Sequence, residues 1–120
     1  MAINIPGIDV DKGLHLFDGD EEIYLAVLKS YATNTPATLD KLRKLSAETL
    51  GEYAIKIHGL KGTSANIGAE DLRAKAKELE MLAKAGNLDA LLAQNADIIK
   101  QAETLIEDIN NWLAKNAPDA

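Results

Sequence analysis

From Glu21 to about Leu45 the apolar positions Ile23, Val27, Leu28, Tyr31, Leu39 and Leu42 recur at intervals that lay one stripe along an α-helix. Thr35-Pro36 interrupts that pattern. Pro36 either opens a second helix at its first position or bends one long helix. Asp20 is placed to cap the start, with Glu21 and Glu22 in a first turn where the helix dipole favours carboxylates. Before it, Asp9 can cap a short helix reaching about Phe17, and Asp18-Gly19-Asp20 breaks the chain.

Downstream, Ser46 is placed to cap a helix running from Ser46-Ala47-Glu48-Thr49 to about Ile67, with Gly68 as its terminator. A further helix is expected over Ala69 to Lys84, with Leu72, Leu79 and Leu82 on its apolar side. The runs Glu70-Asp71 and Glu78-Leu79-Glu80 read as solvated faces. Gly86-Asn87 then separates it from a last helix over roughly Asp89 to Lys115, striped by Leu92, Ala96, Ile99, Ala102, Ile106 and Ile109. Trp112 is expected to plug the bundle end, with fraying from Ala114. Period-2 alternation and internal repeats are absent. Long amphipathic helices on short loops can bury their stripes only against each other. The expected fold is therefore all-α, an antiparallel four-helix bundle with a short extra N-terminal helix, forming one domain over residues 1–120.

Composition narrows the function. The chain has no cysteine, which removes disulfides and thiolate metal sites, and its two histidines lack clustered carboxylates, so no metal site is expected. A net charge of −6 without a basic stripe argues against nucleic-acid binding. No apolar run approaches the roughly 18–20 residues that span a bilayer, and the start lacks a charged-then-apolar leader. The expectation is a cytoplasmic monomer with no membrane partner.

One segment looks selected for more than packing: Tyr53 to Ala69. On a helix, Tyr53, Ile57, Leu60, Ser64 and Ile67 share the core face. His58 falls about a third of a turn from its centre, towards solvent. Ala54, Gly62 and Ala65 line the helix around it, and Lys61 is its helical neighbour. Interior glycines such as Gly59 and Gly62 each cost about 0.5–1 kcal/mol relative to alanine. Small residues beside an exposed imidazole suit close approach by another protein. A neutral imidazole nitrogen is a nucleophile near neutral pH that can hold a phosphoryl group as a labile phosphoramidate. Lys61 could stabilise the added charge, with Lys56 adding longer-range attraction. His15, on a helix without such neighbours, reads as an ordinary surface residue. Thr63 and Ser64 are expected to bond to their own helix.

The run His58-Gly-Leu-Lys61-Gly62-Thr-Ser-Ala-Asn-Ile-Gly68-Ala69 resembles the signature of histidine-containing phosphotransfer (HPt) domains of multistep two-component phosphorelays. Gly7 to Leu14, Phe17 to Tyr24 and the terminal helix pair also look like that family's layout. The resemblance implies a four-helix bundle in which His58 takes a phosphoryl group from a receiver-domain phosphoaspartate, or returns it. Lys61 would then neutralise the phosphate and Gly62 would leave room. It further implies a carrier without kinase activity or a cofactor of its own, with magnesium on the partner receiver. The implied helix from Glu21 runs through Pro36. Val10, Leu14 and Phe17, with Lys56, are the implied docking residues. Response-regulator receivers are the expected partners, and a hybrid histidine kinase is a further candidate. Two other readings share the motif: an interaction-only bundle that docks a receiver without transfer, and the substrate domain of a chemotaxis-type kinase.

Overall fold

The computed structural model describes residues 3–116, in which five helices follow one another: α1 Val10–His15, α2 Glu21–Leu42, α3 Leu50–Asn66, α4 Glu70–Lys84 and α5 Leu88–Asn116. Helices α2 to α5 form an antiparallel ring. Successive helices pack together, and α2 closes the ring against α5. The pairing of α3 with α4 is the most extensive. Among the described residues no helix is long and apolar enough to cross a membrane.

Local sequence sets most of the boundaries. Asp9 and Asp20 cap α1 and α2 by accepting from the backbone N–H of Lys12 and Ile23, each at 3.1 Å. α1 stops at His15, two residues before Phe17, whose ring instead packs against Tyr24 at 6.3 Å between centroids. α2 runs unbroken through Pro36, so the proline lies within one long helix. Ser46 does not open α3. It closes a separate turn with Thr49, whose hydroxyl accepts from the Ser46 N–H at 2.9 Å, and the helix begins at Leu50. The last helix stays helical to Asn116, beyond the expected fraying point, and residues 117–120 lie outside the described part.

The buried stripes differ from the expected ones at their edges. Leu28, Tyr31, Leu39 and Leu42 are core, but Ile23 is exposed and Val27 only half-buried. On α5, Leu92 and Ala96 face outward. Ile99, Ala102, Ile106 and Ile109 are buried as expected, joined by Leu91, Asn95, Ile98 and Leu105, with Trp112 closing the end. A helix wedged between α2 and α4 buries a broad sector, so spacing alone leaves its rotation underdetermined by about one residue.

Three buried tyrosines cross-link the layers. Tyr24 donates to the carbonyl of Ile67 at 2.6 Å, Tyr31 bonds the Ser64 hydroxyl at 3.0 Å, and Tyr53 donates to Asn95 Oδ1 at 2.9 Å. Asn95 in turn donates to the carbonyl of Leu42 at 2.8 Å. Ser64 therefore bonds across the bundle, not to its own helix as its sequence context suggested, because the core face of α3 points it at α2. Burial pushes all three phenols up to about 12, so they remain donors throughout the physiological range.

The α3–α4 turn is the tightest point. Gly68 terminates α3 with φ +82°, and a Cβ there would lie 2.2 Å from the carbonyl oxygen of Asp9. That approach lets the Asp9 N–H donate to the Gly68 carbonyl at 2.8 Å, pinning α1 against the turn. Gly13 meets the same junction from α1, where a Cβ would stand 2.6 Å from the Tyr24 ring. Gly68→Ala is therefore expected to cost at least roughly 1–3 kcal/mol in urea unfolding. An unchanged midpoint would refute this account of the turn.

Candidate functional site

Helix α3 presents His58 because its core stripe fixes the rotation. With Tyr53, Ile57, Leu60 and Ser64 buried, His58 stands on the flank facing α4, and its side chain is 65% exposed. Its Nδ1 lies 2.6 Å from Oε2 of Glu80 on α4. Lys61, one turn along α3, places Nζ 2.6 Å from Oε1 of the same carboxylate. Lys84, one turn along α4, places Nζ 3.2 Å from Oε2. The Glu80 side chain is only 4% exposed.

This arrangement corrects the reading of Glu78-Leu79-Glu80 as a solvated face. Glu78 is exposed, but Glu80 is buried. A signal was present in the sequence: Glu80 follows Ala76 by four residues and precedes Ala83 by three, on the flank of the stripe of Leu72, Ala76, Leu79 and Ala83. Glu70 is also more than solvated, pairing with Lys12 of α1 and with Arg73.

The electrostatics follow from the partners. The hydrogen bond from Lys61, and with it those from His58 and Lys84, holds the Glu80 carboxyl at about 2, against a smaller upward push from burial. Glu80 is thus ionised and can only accept, so the proton on the His58–Glu80 bond belongs to Nδ1. The neutral ring then carries its lone pair on Nε2, which has no partner among the described residues and faces solvent. An imidazole locked in this tautomer, beside two ammoniums, is a nucleophile towards an electrophile bearing negative charge.

Gly62 lies one turn beyond His58 on the exposed side, and a Cβ built on it meets nothing within 4 Å. The same holds for Gly51 and Gly59. Packing therefore requires none of the three. Lys56 does not join the cluster. It lies two residues before His58, about 160° around the helix, and is half-buried. Val10, Leu14 and Phe17 are half-buried and pack against the core from α1 and the turn after it, beside exposed Leu16 and Ile23. His15 is exposed on α1, away from the cluster. Thr63 bonds the carbonyl of Gly59 within its own helix at 3.1 Å, as expected. Among the described residues no three His, Asp or Glu side chains converge on a possible metal position.

A helical bundle that displays a tautomer-locked histidine beside lysines and space for an approaching surface belongs to the class of histidine phosphocarriers. The family model of the Hpt domain matches residues 26–112, and the chain belongs to that family. Domains of the family carry phosphoryl groups on histidine in phosphorelays and interact with receiver domains. No curated protein and no solved structure matches the chain.

Because the Glu80 carboxyl is depressed, its contribution to stability is fully present above the ordinary glutamate value and is lost as pH falls from there towards about 2. Glu80→Gln should therefore flatten the acid limb of a stability–pH curve measured by chemical denaturation. A variant curve parallel to wild type between about pH 4.5 and 2 would contradict the assignment.

Proposed function

We propose that His58 accepts a phosphoryl group on Nε2 from the phosphoaspartate of a receiver domain and passes it to a second receiver, or runs the same exchange in reverse. The observation that carries this reading is the pairing of Nδ1 with an ionised, buried carboxylate while Nε2 stays open to solvent. The Nε2 lone pair forms the N–P bond as the P–O bond to the aspartate breaks, and the bonding pair leaves on the carboxylate oxygen. The Nδ1 proton stays on the ring, donated to Glu80, so the imidazolium that forms faces a fixed negative charge. Lys61 offsets the phosphoryl charge, and Gly62 leaves the partner room to bring its aspartate in line.

In this reading the domain is a carrier without kinase activity and needs no cofactor of its own; magnesium resides on the receiver. It acts in the cytoplasm as a monomer, where response-regulator receivers and a hybrid histidine kinase meet it. Val10, Leu14 and Phe17 supply the rim of the docking surface next to Leu16 and Ile23, and Lys56, on the far side of α3 from His58, adds only longer-range attraction.

The decisive experiment offers radiolabelled phospho-receiver to the protein. Label should be lost in acid, survive base and be absent from His58→Gln, with phosphorus NMR reporting the Nε2 linkage. Label retained by His58→Gln would sink the assignment, and no label from any of several receivers would favour an interaction-only bundle. Label arising only from ATP and a purified kinase would make this the substrate domain of a chemotaxis-type kinase instead.

Gly62 allows a separate check. Gly62→Ala should stabilise the bundle by roughly 0.5–1 kcal/mol, because the position is helical and open. The same variant should slow transfer. Faster or unchanged transfer would remove the access role.

A further inference from the structure

Lys84 has no part in the reaction as described, yet it shares the carboxylate on which that reaction depends. It projects from α4 one turn beyond Glu80, its side chain is 68% exposed, and its Nζ lies 3.2 Å from Oε2. Lys61 meanwhile holds Oε1 at 2.6 Å. The ammonium assigned to the phosphoryl group is therefore already engaged by a full negative charge before any phosphoryl group arrives. For Lys61 to serve Nε2 it has to let go of Glu80. That would leave a carboxylate with 4% exposure holding the Nδ1–H and, as its one remaining cation, Lys84 at the longer distance of 3.2 Å, and a poorly exposed charge that loses a partner is destabilised unless another draws closer.

We propose that Lys84 is a positioning residue of the transfer site, taking over the Glu80 carboxylate as Lys61 swings to the phosphoryl group on His58. This rests on His58 being the phosphoryl carrier. The geometry suits the exchange: the lysines reach the same carboxylate from different helices, one at each oxygen, and the more exposed of them has the freedom to shift along it.

The charge balance points the same way. With a neutral imidazole, one carboxylate and two ammoniums leave the resting cluster one positive charge in excess. Attack by Nε2 breaks the P–O bond of the donor, whose oxygen keeps the electron pair, and no proton crosses. The ring becomes cationic and carries a dianionic phosphoryl group, a net change of one negative charge. The loaded cluster is then neutral with Lys84 present and carries an unbalanced negative charge without it.

The test is single-turnover transfer from a receiver domain loaded with acetyl phosphate to the full chain, comparing wild type with Lys84→Met, Lys84→Arg, Lys61→Met and the double methionine variant. Lys84→Met should slow labelling of His58 about five- to tenfold, an effect typical of coupled neighbours. Its melting temperature should stay within about 2 °C, because an exposed helical ion pair adds little stability. Lys84→Arg should restore the rate to within about twofold of wild type, since it keeps the charge and the reach. In the Lys61→Met background, Lys84→Met should add less than about twofold, because no lysine remains to be released. Wild-type rates in Lys84→Met overturn the proposal, and so does a full additional loss in the Lys61→Met background, which would mean independent long-range attraction. Absence of label from wild type overturns the reading of His58 itself, and this proposal with it.

Discussion

The carboxylate of Glu80 is taken almost wholly out of water at the most extensive helix contact of the bundle, and an ionised group in that position is tolerable only if its oxygens are satisfied. His58, Lys61 and Lys84 satisfy them. Each is thereby placed: the ring is turned so that Nδ1 points inward and Nε2 outward, and two ammoniums are held on the carboxylate that orients the ring. Any displacement of α4 along α3 would separate these groups. The site is thus only as well ordered as the α3–α4 packing.

That packing is secured from outside the site. The turn between α3 and α4 is closed by Gly68, whose missing side chain admits the Asp9 backbone, and α1 is laid across it. The Tyr24 hydroxyl ties the end of α3 to α2, and the Tyr31–Ser64 bond repeats the tie one turn earlier. These bonds fix the rotation of α3 about its axis, and the rotation decides that His58 faces Glu80 while Ile57 and Leu60 fill the core. A helix of ordinary propensity is thereby held in one rotation, the kind of fixed placement that the transfer proposed for His58 would require.

The glycines divide by the same logic. Gly13 and Gly68 lie where backbone or ring atoms leave no room for a Cβ, so the fold demands them. Gly51, Gly59 and Gly62 face open space in helical conformation, where alanine would be more stable. Destabilising residues on the exposed face of a helix, beside its one displayed imidazole, are what close approach by a partner surface would require.

Much of this could be read from residue order. The 3.6-residue period, the caps Asp9 and Asp20, and Gly68 announce an all-helical chain with nearly correct boundaries, and His58, Lys61 and Gly62 stand out by their spacing alone. These features are local: caps, periodicity and i to i+3 or i+4 neighbours involve residues a turn apart, so sequence carries them directly. Glu80 and Lys84 were not legible in this way, although Glu80 sits on the flank of an apolar stripe, because a carboxylate there is equally compatible with solvent. The partner 22 residues away that draws it inward exists only once α4 folds back on α3. The turn formed by Ser46 ahead of α3, the outward rotation of Leu92 and the cross-bundle bond of Ser64 have the same origin. Each is decided by which neighbouring helix occupies which side, a long-range constraint that local spacing does not contain.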